Sequence, residues 1–99
     1  MSINSVVKNV TTAGTAERIS STDLYVTSVT FRAKKGNTND IYIGDSDVAN
    51  TYPDLDANQT VTFEAPIVNG SHSGINLREV WVDADTSGEG VDVWYQEIV

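Results

Sequence analysis

Aspartate carries most of the chemistry this sequence could offer. Two Asp-x-Asp pairs, Asp45/Asp47 and Asp83/Asp85, stand near Asp54, Asp56 and Glu89 in the chain, and carboxylate oxygens at such spacing suit a calcium ion. Neither pair continues into the complete loop, with its central glycine and closing glutamate, that an EF-hand needs, so no cation motif is finished. The same residues serve as turn formers, because an aspartate side chain bonds its own backbone two residues on. We therefore expect no metal and no cofactor. His72 is the only histidine and there is no cysteine, which leaves a zinc shell incomplete. Ser71 or Ser73 beside it lacks the third group that orients a base in a nucleophilic site, so His72 is expected as an exposed loop residue. Asp83 and Asp92 would resemble a glycosidase pair if they faced each other across a last hairpin, but no run of residues suggests a substrate cleft. The glycines, Gly88 and Gly90 included, lack phosphate-loop spacing and no helix follows them. The chain reads as no enzyme, with no catalytic residues.

The aromatic residues are the more informative constellation. If Val80, Val82 and Ala84 face a core, Trp81 faces away from it; if Val91, Val93 and Tyr95 face the core, Trp94 faces away as well. Tyr42 stands opposite Ile41 and Ile43 in the same manner. Tyr42, Trp81 and Trp94 on neighbouring strands would form an exposed apolar patch of the kind interfaces use, and self-association, as a trimer, is the expected consequence. The alternative is that the rings are covered by the N-terminal arm or belong to the core with Val80 outward.

Short alternating strands must position these residues. In residues 59–65, Val61, Phe63 and Ala65 fall on one side while Thr60, Thr62 and Glu64 fall on the other, as a half-buried antiparallel strand requires. In residues 24–34, Val29, Phe31 and Ala33 share one face and Leu24 and Val26 the other, so the inward register switches, and a bulge or bend near Thr27 and Ser28 is expected. Residues 16–20 read as a short strand, 40–44 as a compact strand joined to its predecessor in a hairpin, and 78–84 with 90–98 as a C-terminal hairpin. Residues 44–58 form a long loop with Val48, Tyr52 and Leu55 as its inward anchors, and 66–76 is a second irregular segment. Six or seven such strands point to an all-β fold, an antiparallel β-sandwich with jelly-roll or Greek-key (Ig-like) connections.

At 99 residues and 39% hydrophobic, the chain fits one domain over 1–99, with 1–10 an N-terminal arm or first strand, and a domain of this size buries roughly two-thirds of its unfolded surface. Six basic against fourteen acidic residues leave a net charge of −8, so a nucleic-acid backbone or an anionic membrane surface is repelled. No apolar run approaches the roughly 20 residues of a spanning helix. The first residues carry neither a basic n-region nor an apolar h-region, so synthesis in the cytoplasm is expected. Without cysteine, stability has to come from packing, hydrogen bonds or association.

Three runs of the sequence carry a family resemblance: TAGTAERISS at 12–21, VTFRAKKGNTNDIYIG at 29–44 and VWVDADTSGEGVDVWY at 80–95. Together they resemble a pattern found in small structural proteins of tailed bacteriophages, over about nine-tenths of the chain, and the last run is the most distinctive. The resemblance implies a virion structural role, foremost a capsid decoration (cement) protein. Such a protein is a β-sandwich, often placed as trimers on the head lattice, whose partner is the major capsid protein and whose location is the capsid surface. Asn39 and Asp40 stand where that pattern usually has a glycine, and YPDLDAN at 52–58 replaces its usual Pro-Gly turn. A head-tail connector, neck or tail component would use the same fold. A carbohydrate- or receptor-binding module could use Trp81, Trp94 and Tyr42 as stacking platforms.

Overall fold

The computed structural model describes residues 3–65, 67–68, 71–72 and 74–97, with the backbone alone at 67, 68, 71 and 72. Eleven strands occur among them: β1 (Ile3–Asn9), β2 (Glu17–Arg18), β3 (Tyr25–Ala33), β4 (Ile41–Gly44), β5 (Asp54–Leu55), β6 (Thr60–Glu64), β7 (Ile67–Val68), β8 (Ser71–His72), β9 (Ile75–Asn76), β10 (Trp81–Ala84) and β11 (Gly90–Glu97). One turn of 3-10 helix, Leu77–Glu79, is the only helical element among the described residues. The fold is therefore all-β, and every strand pairing is antiparallel.

Strands β1, β11, β3 and β6 lie side by side in one sheet, with β9 also paired to β3. A second sheet runs β2, β10, β4, β5, and β7 pairs with β8. The alternation of β3 sets the core: Val29, Phe31 and Ala33 point the same way as Val91 and Val93 of β11 and are buried against Ile41, Val82 and Ala84 of the second sheet. Each valine, isoleucine or phenylalanine among them contributes about 1.5–3 kcal/mol when fully removed from water. Val10, Ile19, Val26 and Leu77 extend the same cluster.

The expected register switch in β3 is a β-bulge. The ladder steps from Ser28 opposite Gln96 to Val26 opposite Glu97, so Thr27 is the extra residue. That extra residue lets Val26 and Val29, which a regular strand would turn to opposite faces, both be buried. The Thr27 hydroxyl bonds Gln96 at 3.3 Å and its carbonyl accepts from the Ala65 N–H at 2.8 Å.

Two expected hairpins are not hairpins. β3 and β4 belong to different sheets, as do β10 and β11, so residues 34–40 and 85–89 cross between sheets. Long-range hydrogen bonds replace the ladder a hairpin would have made. The Glu89 carboxylate accepts from the Thr38 N–H at 2.7 Å, the Thr38 hydroxyl at 2.8 Å and the Asn39 N–H at 3.1 Å. The Asn37 amide donates to the Gly90 carbonyl at 2.9 Å, and the Asn39 amide to the Thr86 hydroxyl at 2.7 Å. The expected strand at 16–20 shrinks to Glu17–Arg18, and 78–84 begins in the 3-10 turn before becoming β10. The segment 66–76, expected as irregular, contains β7, β8 and β9.

Candidate functional site

Of the aspartates read as candidate ligands, Asp45, Asp83 and Asp85 have structural partners. The Asp45 carboxylate accepts from the Asp47 N–H at 2.9 Å and from the Tyr52 hydroxyl at 3.0 Å, which makes it the head of an Asx turn. Asp83 is buried and accepts from the Gly14 N–H at 3.0 Å and the Ala84 N–H at 2.8 Å. Asp85 accepts from the Tyr42 hydroxyl at 2.8 Å; that bond is the first cause that pushes the Tyr42 phenol up to about 12. Asp92 lies in the other sheet from Asp83 and pairs with Arg32 at 2.7 Å, so the two carboxylates do not face each other across a hairpin. His72 lies in β8 with Ser71; the side chains of both, and all of Ser73, are outside the described residues.

Further bonds join the sequence runs at 12–21, 29–44 and 80–95. The Ala13 N–H donates to the Ser87 hydroxyl at 2.9 Å, the Val10 N–H to the Glu89 carbonyl at 2.8 Å, and the Gly88 N–H to the Val10 carbonyl at 2.7 Å. Together with the Glu89 contacts to Thr38 and Asn39, they clasp the turn after β1, the β3–β4 crossing and the β10–β11 crossing to one another. Backbone N–H donors from Thr38, foremost, and Asn39 hold the Glu89 carboxyl below its usual range. The polar side chains of the motif are thus consumed in holding the chain's crossings together.

One acidic group does converge, and it includes a residue not among the sequence candidates. Carboxylate oxygens of Asp40, Asp54 and Asp56 lie within 4.8 Å of one another. Asp54 and Asp56 arrive through β5, which pairs with β4 just beyond Asp40. The Asp56 carboxylate, hydrogen-bonded to Asp40, then desolvation and the Asp54 charge push Asp40 up to about 6. Like charges this close oppose full ionisation, so Asp40 keeps its proton to a higher pH than a free carboxyl would. Calcium takes six to eight oxygens; among the described residues these carboxylates are the group that converges.

Tyr42, Trp81 and Trp94 do not form one patch. All three point away from the core, as the alternation requires, but their surroundings differ. Tyr42 is buried, 5% exposed, because the 45–53 loop folds over the outer side of β4. Gly44 makes room for it: a Cβ there would lie 2.6 Å from the Tyr52 ring and 3.2 Å from the Val48 Cβ. Val48, buried, anchors that loop as expected, whereas Leu55, half-buried against the core, belongs to β5, a strand within the segment 44–58 that was expected to be all loop. Trp81 is half-buried, with the Arg18 guanidinium 5.0 Å from its ring centroid. Trp94 lies on the other sheet, 39% exposed, beneath Arg32 at 5.2 Å.

Three other surfaces stand out. An open groove of about 580 Å³ runs beside Trp81 and is lined by Arg18, Asp23, Asn76 and Arg78 among others. Apolar openings of about 290 and 380 Å³ flank Phe63, which stands 43% exposed with its ring edge-on to Phe31 at 6.0 Å. At the opposite rim of that sheet, β1 exposes Ile3, Val6 and Val7. No helix of the described residues is long and apolar enough to cross a membrane. Comparison with family models, with curated proteins and with solved structures finds no match to this chain.

Proposed function

We propose that this chain is a structural protein of a tailed-bacteriophage particle, a β-sandwich that coats the outside of the head as a decoration protein. The observation that carries the reading is the clasp: the runs that resemble the phage pattern converge through Glu89, Thr38, Asn39, Ala13 and Ser87. A motif spent on bracing a small cysteine-free scaffold fits a protein whose work is mechanical. The net charge of −8 also suits a coat on the outer surface, away from packaged DNA. The major capsid protein is the proposed partner, and the capsid surface, after synthesis in a host cytoplasm, the proposed location. With Tyr42 covered and Trp81 and Trp94 on different sheets, the three rings supply no common surface for a trimer. The purified chain should co-sediment with heads that lack it and raise the temperature at which they rupture; failure to bind such heads would contradict decoration, and binding to necks or tails alone would favour the connector alternative.

A carbohydrate- or receptor-binding module is the second reading, and the groove beside Trp81 favours it. Asp23, Asn76 and Arg78 supply polar groups next to an indole there, a combination suited to a sugar ring. Arg18 over the Trp81 ring, however, occupies a face that a sugar would stack on. Glycan binding that is abolished by Trp81→Ala, with head binding intact, would establish this second activity.

A further inference from the structure

We propose that β1 is a self-pairing edge: two copies of this chain join their β1 strands antiparallel about a two-fold axis through Val6, which makes one continuous sheet across a dimer. β1 is bonded to β11 on one side only. The direction of its free hydrogen-bonding groups follows from two contacts. The Val10 N–H donates to the Glu89 carbonyl, and the Gly90 carbonyl accepts from Lys34 on the β3 side of β11. In an antiparallel ladder successive residues alternate sides. Lys8, Val6 and Asn4 therefore exchange bonds with β11, while the N–H and C=O groups of Ile3, Ser5, Val7 and Asn9 point off the edge. Among the described residues no hydrogen bond closes that edge.

The other edges are less suited to a second copy. β2 and β5, the rims of the second sheet, have two residues each. β6 ends in Glu64, an exposed acid. The copies are strongly acidic, so they meet with least repulsion where no acid stands. β1 carries one charge, Lys8, and that ammonium is already turned to Glu17 at 3.0 Å. β1 has neither a proline nor a bulge to protect its edge; its one charge stands on the inward face, opposite Val91, and is held by Glu17.

The register follows from the strand itself. Only odd residues present free groups, and the register that pairs all four of them sets Ile3 against Asn9 and Ser5 against Val7, which places Val6 against Val6 of the second copy. It closes about eight backbone hydrogen bonds. By cross-strand register Ile3, Ser5 and Val7 share a face with Trp94. Pairing therefore brings Val7 of one copy beside the Ser5 and Trp94 row of the other. It covers side chains that are 77% exposed at Ile3, 54% at Val7 and 39% at Trp94. On the opposite face Val6, 39% exposed, meets its own copy. The contact is small by the standard of stable interfaces, so the affinity should be micromolar.

The test uses the purified chain in sedimentation equilibrium at high micromolar concentration, with three variants. The parent should have the mass of a dimer. Ser5→Pro removes an N–H that points off the edge and leaves the bonds to β11 in place, so it should be monomeric with an unchanged β circular-dichroism spectrum. Val6→Lys should also be monomeric, because it sets like charges directly opposite. In a chain without cysteine, Val6→Cys should cross-link under mild oxidation, since opposed residues of a non-hydrogen-bonded pair stand close enough for a disulfide; Val7→Cys should cross-link much more slowly. A monomeric or trimeric parent, a dimer that survives both Ser5→Pro and Val6→Lys, or faster cross-linking through residue 7 than residue 6 overturns the proposal. If Ser5→Pro fails to fold, the cysteine pair decides alone.

Discussion

Replacing Gly90 with alanine tests how β1 and the clasp are seated. A Cβ at residue 90 would lie 2.0 Å from the Lys8 carbonyl oxygen and 2.6 Å from the Asn9 Cα, both backbone atoms, where ordinary contact begins at 3.4 Å. More than an ångström of movement is required. β11 is held between β1 and β3 and carries the buried Val91 and Val93, so β1 must give way at its end. Its displacement strains the Val10–Glu89 and Gly88–Val10 bonds, about 0.5–1.5 kcal/mol each. It also partly uncovers Val10, whose full burial is worth about 1.5–3 kcal/mol. Because β1 is an edge strand that can peel rather than compress the core, we expect a loss of about 2–4 kcal/mol. For a domain of this size that lowers Tm by on the order of 10 to 25 °C. Thermal melting followed by circular dichroism measures it. Gly36→Ala, where nothing lies within 4 Å, is the control and should leave Tm nearly unchanged. A Gly90→Ala protein within about 0.5 kcal/mol of the parent would show that the close approach of Lys8 to Gly90 does not constrain the fold.

Tyr42→Phe leaves the covered ring in place but deletes its bond to Asp85, and should cost about 0.5–1.5 kcal/mol in urea unfolding. Phe31→Ala, at a fully buried site, should cost about 3–5 kcal/mol, and Phe63→Ala, 43% exposed, clearly less; equal costs would mean that the openings beside Phe63 are closed in solution. Asp40 holds its proton up to about 6 in the fold against an ordinary 3.8, so over that interval the folded chain binds more protons than the unfolded chain and stability falls as pH rises. Glu17, Asp23 and Glu89 are held below their ordinary values, so their contributions are lost on further acidification and the most stable pH lies between these effects. In Asp40→Asn the decline between about pH 4 and 6 should flatten and stability at pH 7 should rise; an unchanged pH profile would remove Asp40 from the account.

What was legible in the sequence was local. The alternation in residues 24–34 and 59–65 located β3 and β6, the parity change between Val26 and Val29 located the bulge at Thr27, and Val48 was readable as an anchor of a polar loop. Partner choice was not legible. Residues 34–40 and 85–89 have the glycine, asparagine and aspartate content of hairpin turns, and the same chemistry serves a crossing between sheets; what separates the two is the bond from Glu89 to Thr38, far away in the chain. The aromatic reading erred for a related reason. Alternation correctly turned Tyr42 away from the core, but a residue that points outward is exposed only if no loop returns over it, and Gly44 is what lets Tyr52 and Val48 do so. The acidic group at Asp40, Asp54 and Asp56 was hidden likewise, because β5 pairing with β4 brings it together.

The most direct test of the proposed role is cryo-electron microscopy of particles made by the genome that encodes this chain, together with their protein composition. The account expects density for this fold, with the clasp and two β-sheets recognisable, on the outer surface of the head at lattice-determined positions. Its presence only at the neck, tail or fibres would contradict decoration, and its absence from purified particles would contradict a virion structural role altogether.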